Sequence, residues 1–346
     1  MILFDGQNIL KQNSMKTKVN KEADMMIGKI CGTGSSIPVK IMDNDDLSNM
    51  VDTNDAWIRE RTGVEKRHIA ESESTVSMAV EAGRQALAQT GVRPEELDMI
   101  VVSTMSPDAV LPCTACEVQK AIGAEGAVCF DLQAACTGFI FAYNTAQAYI
   151  QSNMCRTVLL IGSERLSRLV DWTDRGTCIL FGDGAGAAVL RYEECEKETF
   201  MYSNSMGDNK NVLTCKNNGL TPLMTSNRAV NNYMTMQGND VFRFAIRVME
   251  EAIVEVLKES NLTIDDIDCI IPHQANIRII KHVARSMNLP MEKVFVNLDK
   301  YGNTSSASIG IALSEAKAQG VIKENDKVIL VGFGGGFTYS SYLYQF

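Results

Sequence analysis

The sequence predicts an α/β protein made of two duplicated halves, and three observations carry that prediction. First, "GVRPEELDMIVVS" (91–103) is matched by "NLTIDDIDCIIPH" (261–273), and "RTVLLIGSE" (156–164) by "DKVILVGFG" (326–334), both at an offset of 170 residues. Second, the first pair of segments follows "SMAVEAGRQALAQT" and "RVMEEAIVEVLKES", where apolar residues recur at helical three- and four-residue spacing. Third, runs such as "MIVVS", "VLLIG" and "VILVG" are short, β-branched and uninterrupted, as strands covered on both faces must be. Strands alternating with helices imply mainly parallel sheets packed between helices.

Taken in chain order, residues 1–25 mix short apolar stretches with charge, lack a small-residue cleavage site and read as a polar extension. Met15, Met25 or Met26 could each serve as an alternative start. Residues 26–195 form the first half. After its opening helix and strand come a helix, "CTACEVQKAIGA" (113–124), a strand, "VCFDL" (128–132), and a helix that begins among small residues at Cys136. Residues 196–346 form the second half, with "VFVNL" (294–298) as the matching strand and "SSASIGIALSEAKAQ" from Ser305 as the matching helix. Cys136 falls opposite Ser306 at the offset of 170, yet the two strands are 166 apart, so the second half has four extra residues in "DKYGNTS". Extra length in a tight connection projects beyond the sheet, and this loop holds Asn303.

The glycine runs do not make a dinucleotide site. "GDGAGA" (182–187) fits G-x-G-x-x-A but is followed by the strand-like "AVLRY", and "GFGGGF" has Phe337 where the third glycine belongs. A Rossmann oxidoreductase is excluded. With 346 residues, 45% of them hydrophobic, the chain can fill one large or two mid-sized cores, and no apolar run approaches the ~18–20 residues that span a bilayer. Ten irregularly spaced cysteines without an export signal imply reduced thiols in a cytoplasm. A net charge of −9 argues against nucleic acid or anionic membrane, and an acidic partner would need a local basic patch.

Among the cysteines, Cys31, Cys129, Cys155, Cys178 and Cys269 sit in or beside apolar runs and read as core fillers, while Cys195 and Cys215 lie in polar stretches. Cys136 differs. At a helix N-terminus the unpaired N–H groups and the dipole favour the thiolate, and Ala134, Ala135 and Gly138 leave room for a substrate. "CTAC" (113–116) has no second pair or nearby histidine for zinc, and a helix over it is expected simply to bury both sulfurs. Of three histidines, His68 lies among charges and His282 rides a helix, whereas His273 ends the buried strand "CIIP", beside Gln274 and Asn276. Ligands of α/β folds bind at that end of a strand.

"DLQAACTGF", "IPHQANIRII", "YGNTSSAS" and "GFGGGFTYSS", in this order, resemble the Cys-His-Asn condensing enzymes of the thiolase superfamily, and among these the β-ketoacyl-acyl carrier protein synthase III family. "MVDTNDAWIRERTGVEKRHIA" and "DRGTCILFGDGAGAAVL" extend the resemblance to about residues 26–346. Elongating synthases carry a second histidine where this chain has Asn303, degradative thiolases carry a further cysteine in the terminal glycine loop, and plant-type polyketide synthases carry a proline there. The resemblance implies a thiolase-like fold, layered α-β-α-β-α, and a homodimer. It implies an acyltransferase that condenses an acyl-coenzyme A with malonyl-acyl carrier protein, using coenzyme A thioester as substrate and neither metal nor cofactor. An alternative is a related condensing enzyme of secondary metabolism with a different acyl acceptor.

The same resemblance assigns roles. Cys136 is the nucleophile, His273 and Asn303 hold the enolate, and the N–H groups of Cys136 and Gly335 form the oxyanion hole. Trp57 and Arg175 sandwich the adenine of coenzyme A, with Arg61 on a phosphate. Leu111 belongs to the acyl pocket, contributed across the dimer. Arg278, Lys281 and Arg285 share a helix face at i, i+3 and i+7, and with Arg243 they are the expected docking patch for the acidic carrier protein.

Overall fold

The computed structural model describes residues 15–16, 25–195, 199–216 and 233–346. Most of the expected N-terminal extension therefore lies outside the described residues. β1 (Met15–Lys16) precedes the first half, which comprises β2 (Met25–Ser36), β3 (Ile41–Asp43), α1 (Asn44–Ser48), α2 (Asp55–Thr62), β4 (Lys66–His68), α3 (Thr75–Ala88) and β5 (Met99–Ser103). It continues with α4 (Thr114–Ile122), β6 (Val128–Leu132), α5 (Gly138–Gln151), β7 (Thr157–Glu164), α6 (Arg175–Cys178) and β8 (Gly184–Cys195). The second comprises β9 (Phe200–Ser205), β10 (Leu213–Thr214), β11 (Thr235–Met236), α7 (Gly238–Ser260), β12 (Cys269–Pro272) and α8 (Ile277–Ser286). It ends with α9 (Leu298–Tyr301), α10 (Ala307–Ala318), β13 (Lys327–Gly334) and β14 (Thr338–Gln345).

Two five-stranded sheets result, ordered β2-β8-β7-β5-β6 and β1-β9-β14-β13-β12. Alternation along each strand explains their unbroken apolar runs. In β5, Met99 and Val101 face a core shared with α5 and α10, while Ile100 and Val102 face α3 and α4. In β13, Val328 and Leu330 face the same shared core, and Ile329 and Val331 face α7 and α8. The layers thus run helix, sheet, helix pair, sheet, helix. The duplication is visible in register, since β7 and β13 start 170 residues apart, as do the 3-10 turns Pro94–Glu96 and Ile264–Asp266.

The sheets are mixed and not mainly parallel as the alternation suggested. β5 is parallel to β6 and β7, and β12 to β13, but β8, β2, β14 and β9 all pair antiparallel. β14 folds straight back on β13 through a tight turn, so no helical crossover imposes a parallel return. "VFVNL" is not a strand either. Its one bridge is Val294 to Ile270, beyond which the Gln274 side chain donates to Phe295 O (3.1 Å) and accepts from Asn297 N (3.1 Å). A side-chain amide has taken the place of ladder partners there.

The glycines of "GDGAGA" serve close packing. A Cβ on Gly186 would lie 2.3 Å from the backbone of Gly310 in α10, so β8 and the central helix touch main chain to main chain.

Candidate active site

β6 delivers its chain end to the middle of the molecule and turns sharply into α5. Ala135 takes a left-handed φ of 47°, followed by the 3-10 turn Ala135–Thr137 that holds Cys136. A non-glycine residue there costs about 1–3 kcal/mol and must be held by its surroundings. The duplicate turn does the same at Ser305 (φ 49°), also 170 residues on. The two turns meet, with the Cys136 thiol donating to Ser305 Oγ at 3.4 Å.

His273 follows β12 and extends its ladder through N–H to Val331 O (2.8 Å). Its Nδ1 lies 3.2 Å from Ser308 Oγ, which also accepts from Gln274 N–H (2.8 Å). The remaining hydroxyl proton of Ser308 is then available to Nδ1, an arrangement that leaves the imidazole proton on Nε2. The ring stands edge-on to Phe333, with centroids 5.4 Å apart. Burial drives the His273 pKa down to about 3, so the imidazole is neutral.

Asn303 is set by its backbone and by its carbonyl oxygen. Its N–H donates to Leu180 O (2.8 Å), its C=O accepts from Gly182 N (3.1 Å), and its Oδ1 accepts from Ser305 N (2.9 Å). Fixing Oδ1 leaves the Nδ2 donors for the cavity. Gly302 makes this entry possible, because its φ is +66° and a Cβ would lie 2.7 Å from Leu180 O. Fully buried Arg67 ties the facing loop, donating to Ile179 O (2.8 Å) and Asn44 Oδ1 (2.9 Å).

Cys136, His273 and Asn303 open on one cavity of about 830 Å³, together with Gly334, Gly335 and Gly336 of the terminal loop. Gly334 packs against the Cys136 turn so closely that a Cβ would stand 2.8 Å from Cys136 N. The expected thiolate is not the resting state. Burial pushes the Cys136 thiol up to about 12, against the smaller lowering effect of Ser305, and the charge of Glu164 adds to the rise. The helix N-terminus does not offset the loss of water around the sulfur.

Glu164 and the serines were not found by sequence reasoning. Glu164 ends β7 fully buried and accepts from Ser106 Oγ (2.5 Å), Ser306 Oγ (2.7 Å) and Met105 N (3.1 Å). The signal available was a carboxylate ending an apolar strand, at the repeat position of Gly334. Cys215, despite its polar stretch, is half-buried and lines the cavity, while the side chain of Cys195 lies outside the described residues. The other sites divide. Arg61 and Arg278 line the cavity, whereas Arg243, Lys281 and Arg285 are exposed beyond it. Arg175 and Arg61 lie on the Trp57 ring at 4.9 and 5.3 Å, so an adenine must part Arg175 from Trp57 to enter between them. Leu111 does not line the cavity of its own chain and is 86% exposed.

Two models of the 3-oxoacyl-[acyl-carrier-protein] synthase III family match, the first over residues 130–209 and its C-terminal counterpart over residues 257–346. Beta-ketoacyl-[acyl-carrier-protein] synthase III of Clostridium acetobutylicum is 46% identical over 314 residues, covering 90% of this chain and 97% of that relative. The chain belongs to the β-ketoacyl-acyl carrier protein synthase III family. It is therefore an acyltransferase, the initiating condensing enzyme of fatty acid synthesis, on a thiolase-like fold. The crystal structure of the Aquifex aeolicus synthase III superposes with a TM-score of 0.86 at 42% identity, covering 92% of this chain and 100% of that one. The priming β-ketosynthase of the R1128 polyketide pathway reaches 0.87 at 33% identity, covering 92% and 96%. Among the described residues, no group of three or more His, Cys, Asp or Glu is placed to hold a metal ion, and no helix is long and apolar enough to cross a membrane.

Proposed function

We propose that this synthase III transfers an acyl group from acyl-coenzyme A to Cys136 and condenses it with malonyl-acyl carrier protein. In the first half-reaction the Cys136 sulfur attacks the thioester carbonyl, the carbon–sulfur bond to coenzyme A breaks, and the thiol proton ends on the departing coenzyme A sulfur. The N–H groups of Cys136 and Gly335 hold the intermediate oxyanion, each such donor being worth about 2.7–4 kcal/mol. In the second, the malonyl carbon–carboxylate bond breaks and its electron pair becomes an enolate held by His273 Nε2–H and Asn303 Nδ2–H. The enolate carbon attacks the acyl-cysteine and expels the Cys136 sulfur as a thiolate, which takes a proton from solvent, giving 3-oxoacyl-acyl carrier protein and carbon dioxide.

What supports this reading most is the shared cavity with two neutral donors opposite the sulfur. No cofactor enters the scheme. Trp57, Arg61 and Arg175 would bind the coenzyme A nucleotide, and Arg243, Arg278, Lys281 and Arg285 the carrier protein. A cytoplasmic homodimer fits the chain, since β6 is an open sheet edge with Val128 59% exposed, and Val110 and Leu111 protrude as further exposed apolar side chains. There Leu111 would reach the partner's acyl pocket. Residues 26–195 and 196–346 are the two halves of this assignment.

Mass spectrometry after mixing with acetyl-coenzyme A tests the first step, an adduct on any residue but Cys136, or none, overturning it. An assay with a series of acyl-coenzyme A primers and malonyl-acyl carrier protein tests the second. Turnover only with another acceptor would move the enzyme to secondary metabolism.

A further inference from the structure

The sequence reading buries both sulfurs of "CTAC", but the structure places them otherwise. Cys113 is the N-cap of α4, Cys116 lies in its first turn, and both are only half-buried. Their sulfurs are 3.3 Å apart, with the Cys113 thiol donating to Cys116. The backbone around them is held independently, because the Asp131 carboxylate accepts from Thr114 N and Ala115 N, both at 2.8 Å. Neither sulfur lines the catalytic cavity, and the condensation uses neither.

We propose that Cys113 and Cys116 are an oxidisable dithiol, a site of thiol–disulfide exchange with small-molecule disulfides. One thiolate attacks the external disulfide, forming a mixed disulfide and releasing one thiol. The second thiolate displaces the remaining external sulfur. Two protein S–H bonds are lost, one S–S bond forms, and the external disulfide is reduced to two thiols. Closing the pair from 3.3 Å to a bond length of about 2.05 Å needs a contraction that side-chain rotation supplies within one helical turn. Cys129, on the neighbouring strand, is the third sulfur nearby, and it donates to Ala127 O at 3.4 Å.

The site is coupled to the cavity by chain continuity. Pro107, Asp108, Ala109 and Val110 line the cavity, and only Leu111 and Pro112 separate them from Cys113. Arg168 holds the far end of this segment through Pro107 O. Chain continuity is therefore the route by which a bond in the first turn of α4 would reach one wall of the acyl-binding cavity.

The test equilibrates the full chain in graded mixtures of reduced and oxidised dithiothreitol, traps free thiols with iodoacetamide and maps the peptides. The expected result is joint loss of alkylation at Cys113 and Cys116 in one transition, with a 113–116 internal disulfide that Cys113→Ser and Cys116→Ser both abolish. Persistence of both free thiols, or a bond from either to Cys129, overturns the proposal. This readout needs no activity. A second readout, which rests on the proposed acyl transfer, compares KM for acyl-coenzyme A in oxidised and re-reduced protein. A reversible change absent from Cys116→Ser is expected, and equal values overturn the coupling to the cavity.

Discussion

Two neutral groups face the same space at the heart of this enzyme, a thiol pushed up to about 12 and an imidazole pulled down to about 3, each mainly by burial. An imidazole that stays neutral serves as a donor at every physiological pH, and a carboxamide cannot titrate at all. Removing the Asn303 donor should therefore spare acylation and cost condensation. We expect Asn303→Ala to form acyl-Cys136 at near wild-type rate while condensation falls by about 10²–10³-fold, measured by separate acyl-adduct and product assays. His273 also sets an acid limit on stability. The unfolded histidine binds a proton near its ordinary 6.5, the folded one only near 3, so between these values the unfolded state holds more protons. Its contribution is full above 6.5 and is lost as pH falls, by about 1.4 kcal/mol per unit. Denaturant midpoints at about pH 7 and about pH 5 should separate more in wild type than in His273→Asn. Glu164 acts on the sulfur from below. Glu164→Gln removes a charge that raises the Cys136 pKa, so iodoacetamide should alkylate Cys136 at lower pH than in wild type. An unchanged pH profile would leave Glu164 a purely structural brace.

At the scale of elements, the site is made by two duplicate turns whose geometry differs in one loop. Ala135 and Ser305 share the left-handed turn, but only the second half inserts α9 and Gly302 ahead of it, and that insertion brings Asn303 to the cavity. Gly302→Ala places a Cβ against Leu180 O at a φ that L side chains avoid. It should cost about 1–3 kcal/mol by thermal or denaturant unfolding and depress condensation more than acylation. The difference between halves also explains what could be read beforehand. The 170-residue offset located β5, β7 and α5 with their counterparts, because apolar periodicity is local and survives duplication. It also set Cys136 and Asn303 at strand-to-helix turns. Glu164 was illegible for the opposite reason. Its donors Ser106 and Ser306 lie 58 and 142 residues away, so nothing near it in sequence marks a buried carboxylate. "VFVNL" misled because its pattern is strand-like while, beyond a single bridge to β12, the Gln274 side chain supplies its partners.

Over the whole molecule, charge poses the sharpest problem. A chain of net charge −9 must receive an acidic carrier protein at the mouth of its cavity. In the docking proposed above α8 supplies the surface, for it turns Ile279, Ile280, Val283 and Ala284 inward and Arg278, Lys281 and Arg285 outward. Its N-cap Asn276 is fastened to Arg61 O (3.0 Å), so the basic face is held beside the cavity. Arg278 lies over Phe242 at 5.6 Å, and Arg243 follows on the same helix as Phe242. Exposed ion pairs are worth about 0.2–1 kcal/mol each, so three together account for about a tenfold change in affinity. The triple replacement Arg278→Ala, Lys281→Ala and Arg285→Ala should raise KM for malonyl-acyl carrier protein about tenfold at low salt. The gap to wild type should close as salt screens the wild-type contacts. Acylation of Cys136 by acetyl-coenzyme A should change far less, apart from what Arg278 contributes as a cavity residue. Restoring Arg278 alone separates that contribution from docking. If KM for the carrier substrate stayed at the wild-type value and kept its salt dependence, the carrier protein would have to dock elsewhere, away from α8.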